Sequence, residues 1–247
     1  MHIDAIPCIN EARTDTWGGK TVLVIDVLRA TTCIVTALEN GAASVYPADT
    51  VASARMGKRN GDLLGGERYG KRIPGFDLGN SPLEYTPQIV SGRRVILTTT
   101  NGTRAVRKVQ KAAWVIAACL RNARAAANAA YGQKRDIVIL CSGVQDTFSF
   151  EDGLCAGMLI EEIFQRKKRE DDFYLNDFAL AMHSLYLYHR HRLEEAINEC
   201  SGGRKLRKLG FGEDVRFCAE PNVSNVVPVL HQGELIVWGD DFRVSGP

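Results

Sequence analysis

Short apolar runs that stop abruptly in polar, helix-opening clusters recur along this chain, and that recurrence restricts the fold more than any other feature. Residues 21–27 (TVLVIDV) read as a buried strand, and residues 31–40 follow as a helix that Gly41 closes. The same alternation predicts strands at 43–46, 94–98, 113–119 and 136–141, with helices over 51–59, 103–111, 123–131 and 151–168. Repeated strand–helix alternation makes an α/β protein, layered α/β/α, in which helices cover a mixed, largely parallel sheet.

Two stretches depart from this rhythm. Between residues 61 and 91 glycines and prolines crowd, predicting a long loop anchored by Leu63, Leu64, Phe76, Leu78 and Leu83. The charge run at 166–172 (RKKREDD) reads as a solvated helix end and linker, the natural boundary if the single 1–247 unit is built as two α/β lobes. Residues 173–200 look helical, and the tail suggests short strands at 215–218, 226–230 and 235–238.

Ligands of open α/β sheets gather at the carboxyl ends of strands, and four polar clusters sit at such places. In the first, Asp26 closes a buried run while Arg29, Thr31 and Thr32 open the next helix. Free N–H groups and the positive dipole end suit a phosphate there, and Arg29 can fork onto its oxygens. Asp26 can hold a metal or act as a nucleophile; the purely structural reading pairs it with Arg29 and uses the threonines as caps. The second cluster, TTTNGT at 98–103, offers Thr99, Thr100, Asn101, Gly102 and Thr103 as an anion nest of consecutive N–H groups, or as an ordinary turn with a threonine cap. In the third, Ser142 and Gly143 end the most apolar run, and Glu151 and Asp152 open a helix as dipole-favoured acids or as oxygen ligands of a hard cation. The fourth joins Glu67 and Arg68 to Asp77, Asn80 and Ser81 among glycines that let backbone approach a ligand, although Asp77 and Asn80 also suit local turns.

Other chemistries are poorly served. Residues 18–21 (GGKT) imitate the end of a phosphate-binding loop, but Thr14 stands where its first glycine belongs and Lys20-Thr21 enters a strand. No Gly-x-Gly-x-x-Gly follows a strand. Leu28 occupies the second acid position of an aspartyl-phosphate signature, and Thr147 stands where a cysteine phosphatase built on Cys141 needs arginine. His189-Arg190-His191 reads as a partly exposed helix face. The seven cysteines include no Cys-x-x-Cys pair, which argues against zinc and for buried, reduced thiols in a cytoplasmic protein. A net charge of +2, from 31 basic and 29 acidic residues, does not suit a nucleic-acid binder. No apolar run reaches the roughly 18–20 residues of a membrane span, and Met1-His2-Ile3-Asp4 lacks the basic and apolar regions of a signal peptide. The expected partner is a small anionic phosphate ester; whether copies associate as a homo-oligomer stays open.

At its four clusters the chain resembles the 2-phosphosulfolactate phosphatase (ComB-like) family. The resemblance rests on IDVLRATT (25–32), GGERYGKRIPGFDLGNSP (65–82), TTTNGT (98–103), CSG (141–143) with FSFEDGLCAG (148–157), and GEDVRFCAEPN (212–222); residues 166–209 match only in helical character. It implies a Mg²⁺-dependent hydrolase that converts 2-phospho-3-sulfolactate into 3-sulfolactate and phosphate, a step of coenzyme M biosynthesis in methanogens, on a compact two-lobed α/β body. Metal-assisted transfer of the phosphoryl group to water fits both readings, with Asp26, Glu67 and Asp152 as metal ligands and Arg29 stabilising charge on the phosphoryl oxygens. Asp26 serves either as base or as nucleophile, and Arg68 or Lys71 faces the sulfonate and carboxylate. Two alternatives remain: a phosphatase for another small phosphorylated acid, and a non-catalytic phosphometabolite-binding protein, which the retained acids disfavour.

Overall fold

The computed structural model describes residues 1–13, 17–166, 168 and 172–239; the remainder of the 166–172 charge run lies outside the described residues. The chain opens with strand β1 (His2–Ile6) and continues through β2 (Thr21–Ile25), helix α1 (Ala30–Glu39), β3 (Ser44–Pro47) and α2 (Val51–Met56). Next come β4 (Leu63–Arg68), β5 (Lys71–Arg72), α3 (Pro87–Val90), β6 (Arg94–Thr98), α4 (Gly102–Lys108) and β7 (Trp114–Ala118). After α5 (Ala123–Gly132) and β8 (Ile137–Cys141) lies the long helix α6 (Phe150–Phe164), then β9 (Tyr174–Leu175). Four helices, α7 (Asp177–His189), α8 (Leu193–Glu199), α9 (Ser201–Lys208) and α10 (Gly212–Cys218), precede the closing strands β10 (Pro228–His231) and β11 (Glu234–Val237).

These strands form one mixed sheet in the order β5-β4-β6-β3-β11-β10-β7-β2-β8-β1-β9. β4, β6 and β3 run parallel to one another, as do β7, β2, β8, β1 and β9. The β10–β11 hairpin joins the two sets through antiparallel steps on both sides, each by a single residue pair, so the sets run in opposite senses. α1 fills the space between them: every residue from Ala30 to Leu38 is buried, and the helix touches β3 and β7 alike. Its sequence explains that position, since ATTCIVTAL carries no charge and only threonine hydroxyls, which bond to backbone carbonyls one turn back.

At the centre, β2 is buried along its whole length, with Val22, Leu23, Val24 and Ile25 all fully enclosed. Each such side chain contributes about 1.5–3 kcal/mol relative to exposure. Alternate β2 residues feed different cores: Leu23 and Ile25 face α5 and α6, whereas Val22 and Val24 face α1 and α4. That two-sided burial produces the continuous apolar run read in the sequence.

Two expectations need correction, and one strand goes unread in the sequence. Residues 215–218 are helical, the end of α10, because Glu213 and Asp214 open a helix in the preceding turn. The supposed loop at 61–91 contains β4, β5 and α3; β4 pairs in parallel with β6 through Leu63, Leu64, Gly65 and Gly66. β1 was not expected, since a short edge-like run (HIDAI) gives little signal, yet it pairs with β8 from Ile3 to Ile6.

Candidate active site

Asp26 stands at the end of β2, and the loops after β2, β4, β6 and β8 converge on it. Its Oδ1 accepts the Ala30 N–H at 3.1 Å at the start of α1, and the Gly102 N–H at the start of α4 also bonds to the carboxylate. The fit is tight: a β-carbon on Gly102 would lie 2.5 Å from Asp26 Oδ2 and 2.5 Å from Ala30 Cβ. Two helix N-termini therefore meet at one carboxylate, as the positive dipole ends favour. Burial nevertheless raises the Asp26 pKa from 3.8 to about 7, with Glu67 and Glu151 adding repulsion.

The surrounding acids are held firmly. Glu67 accepts from the Thr100 N–H at 3.0 Å, the Thr100 hydroxyl at 2.9 Å and the Gly70 N–H at 2.7 Å. Asp152 bridges two strand ends, accepting the Val27 N–H at 2.9 Å through Oδ1 and the Gly143 N–H at 3.1 Å through Oδ2. Burial, then the charges of Asp26 and Glu151, push the Asp152 pKa well up. Glu151, buried one residue before it, takes a hydrogen bond from the Cys200 thiol at 3.2 Å and is raised by burial. Four carboxylates thus share a neighbourhood, and each carboxylate oxygen bound by one donor still has a lone pair to offer.

Arg29 is the cation of the site, but Asp26 is not its partner. Its Nη1 donates to Asp214 Oδ2, Ser81 Oγ donates to Asp214 Oδ1 at 2.8 Å, and the guanidinium lies over the Phe211 ring at 4.3 Å. The pair is buried, with Arg29 2% and Asp214 3% exposed. Nε and Nη2 make no hydrogen bond to described residues, so one edge of the fork stays available to an anion. The Leu28–Arg29 peptide is cis.

The other expected residues divide into two groups. Thr31 and Thr32 are spent on the backbone, Thr31 Oγ1 accepting from the Asp26 N–H and donating to its carbonyl, and Thr32 donating to Val27. Thr99 and Thr103 bond reciprocally, each hydroxyl accepting the other's N–H at 3.1–3.2 Å. With the Thr100 and Gly102 N–H groups held by Glu67 and Asp26, the turn at 98–103 binds the protein's own carboxylates instead of forming an open anion nest. Arg68 likewise bonds to the Glu67 and Thr98 carbonyls and the Thr98 hydroxyl. Asp77 lies apart, pairing with Lys58 at 3.1 Å and capping Leu64, and Lys71 is exposed on β5. By contrast, Asn80 Oδ1 and Ser142 Oγ are buried without a partner, and Asn101 caps α4 without using its side chain. Both atoms keep hydrogen-bonding capacity that a ligand or water can use.

Sequence reasoning missed Asp214, Phe211 and Cys200. Asp214 had one signal, the acid pair Glu213-Asp214 opening GEDVRFC, but its bond to Arg29 spans 185 positions.

The sequence model described as 2-phosphosulpholactate phosphatase matches residues 8–233. A probable 2-phosphosulfolactate phosphatase of Caldanaerobacter subterraneus subsp. tengcongensis is 43% identical over 227 residues, covering 90% of this chain and 92% of that one. Proteins of the same description from Carboxydothermus hydrogenoformans and Symbiobacterium thermophilum are 42% and 39% identical, covering 88% and 93% of this chain and 90% and 99% of theirs. With a match across nearly its whole length, the chain belongs to the 2-phosphosulpholactate phosphatase family.

Proposed function

We propose that this protein is a Mg²⁺-dependent phosphatase that hydrolyses 2-phospho-3-sulfolactate to 3-sulfolactate and phosphate. One observation carries the reading: Asp26, Glu67, Glu151 and Asp152 crowd around two helix N-termini beside a buried arginine with an open edge. Relatives described as probable 2-phosphosulfolactate phosphatases supply the substrate.

The acids suit a hard cation. Burial, with repulsion from Glu67 and Glu151 added, raises the Asp26 pKa to about 7, and the Arg29 guanidinium is already matched by Asp214. Among the described residues no three His, Cys, Asp or Glu side chains form a ready cage. Mg²⁺ asks for less than that, keeping several waters and using one or two carboxylates with substrate phosphate. Asp26 and Glu67 would hold it, with Asp152 behind them. Bound there, Mg²⁺ supplies charge stabilisation for the phosphoryl oxygens.

The chain's own groups then have defined tasks. Arg29, its orientation fixed by Asp214 and Phe211, turns its free edge to the phosphoryl oxygens. Asp26, through a carboxylate oxygen not given to the cation, is placed as the base that orients a water and takes its proton. Asn80 and Ser142 lend the unpartnered polar atoms to substrate or water. All seven cysteines are free and buried, which supports action in the reducing cytoplasm, and among the described residues no helix is long and apolar enough to cross a membrane.

Phosphate release from 2-phosphosulfolactate tests the reading, beside analogues that lack the sulfonate. A kcat/KM that survives loss of the sulfonate would transfer the assignment to another small phosphorylated acid.

A further inference from the structure

Helix α7 has a surplus of apolar surface. Its inner side is fully used against α6: the backbones approach so closely that a β-carbon on Gly157 would lie 2.0 Å from the Met182 carbonyl oxygen. Ala179 and Met182 are buried in that contact, and His183 bonds to Glu161 at 2.7 Å on its flank. A helix docked this well would normally turn charge to solvent. Residues 178–188 (FALAMHSLYLY) instead contain no Lys, Arg, Asp or Glu. Asp177, Leu180, Ala181, Ser184, Leu187 and Tyr188 form an exposed stripe along one side, with Leu180 58%, Leu187 39% and Tyr188 71% exposed.

We infer that this stripe is the centre of a twofold interface with a second copy of the chain, the two α7 helices lying antiparallel across Ser184. The pattern is self-complementary, as an isologous contact requires. Centred on Ser184, the antiparallel pair sets Leu180 against the second copy's Tyr188 and Ala181 against its Leu187. Asp177 then lies at the C-terminal end of the second copy's helix, which Arg190 and Arg192 follow. The acidic end of each helix therefore faces the basic end of the other, and the helix dipoles oppose. Ala181 and Ser184 are small enough for close approach, and the Ser184 hydroxyl is satisfied within its own helix by the Leu180 carbonyl at 3.1 Å. A stable interface buries roughly 1,000 Å² or more, so the flanks contribute as well. Tyr174, exposed on edge strand β9, and Phe148, packed edge-on against Phe178, extend the apolar surface at the N-terminal end of α7.

The full chain is expected to sediment at twice the single-chain mass at micromolar concentration. Ser184→Glu, which sets two like charges face to face on the axis, is expected to shift it to monomer while circular dichroism stays unchanged. The register is tested by mild oxidation, because all seven native cysteines are buried. Ser184→Cys is expected to cross-link to itself. Leu180→Cys is expected to cross-link only when mixed with Tyr188→Cys. Wild-type protein that stays monomeric at tens of micromolar, a dimer indifferent to Ser184→Glu, or an absence of Ser184→Cys cross-linking would each overturn the inference. None of these readouts depends on catalysis, so the proposed function can stand or fall separately.

Discussion

Replacing Arg29 by alanine tests the clamp on which the anion-binding edge depends. The guanidinium and the Asp214 carboxylate are both almost wholly buried, with Ser81 completing the acid's bonding and Phe211 covering the cation. Their attraction is strong in such surroundings but is largely offset by the desolvation of both ions. Removing one partner forfeits the attraction and leaves the other ion's desolvation in place, typically ~3–5 kcal/mol. At ~2–4 °C per kcal/mol for a chain of this size, Arg29→Ala should melt ~6–20 °C lower. Asp214→Asn should cost a similar amount. In the double variant no charge is stranded, so its loss should fall short of the sum of the two singles by ~1–3 kcal/mol. Arg29→Lys keeps the charge but loses the planar fork, and kcat/KM should fall about ten- to a thousandfold. Urea unfolding of the four proteins gives the cycle, and phosphate release gives the kinetics. Strictly additive single variants, or an Arg29→Ala protein as stable as wild type, would refute the buried clamp.

Two further outcomes follow from the site. Asp26 keeps its proton in the fold up to about pH 7 but loses it near its ordinary 3.8 when unfolded. Its contribution to stability is therefore intact below about pH 4 and lost as the pH rises to about 7, so in chelator the stability of Asp26→Asn relative to wild type should rise across that window by about 1–4 kcal/mol; a difference independent of pH would contradict the strained carboxylate. Gly66 has φ of 143° and would place a β-carbon 2.0 Å from the Thr98 carbonyl oxygen, so Gly66→Ala should cost ~3 kcal/mol or more and displace Glu67; unchanged melting and activity would contradict the β4–β6 register.

The strand ends at Asp26, at Thr98 and at Cys141 were legible because the strands carrying them are buried on both faces, so polarity begins where the strand stops. β4 was not, since Gly65 and Gly66 read as loop. In the fold those glycines admit the Tyr85 hydroxyl and the Thr98 backbone beside the strand. Residues 215–218 read as a strand from Val215 and Phe217, whose strand preference is overridden in α10 by the docking of Asp214 onto Arg29. Which threonines merely complete backbone bonding was also beyond reach. Thr31, Thr99 and Thr100 share one composition signal, yet only the Thr100 hydroxyl reaches a site carboxylate, Glu67.

Phosphate release from 2-phosphosulfolactate, with Mg²⁺ and after exhaustive chelation, in wild type and Asp26→Asn, tests the central claim most directly. The account predicts turnover by wild type with Mg²⁺, its collapse on chelation with recovery when Mg²⁺ is restored, and a loss of at least a hundredfold in Asp26→Asn, the order general-base catalysis supplies. Full activity in chelator, or an Asp26→Asn protein that turns over like wild type, would contradict it.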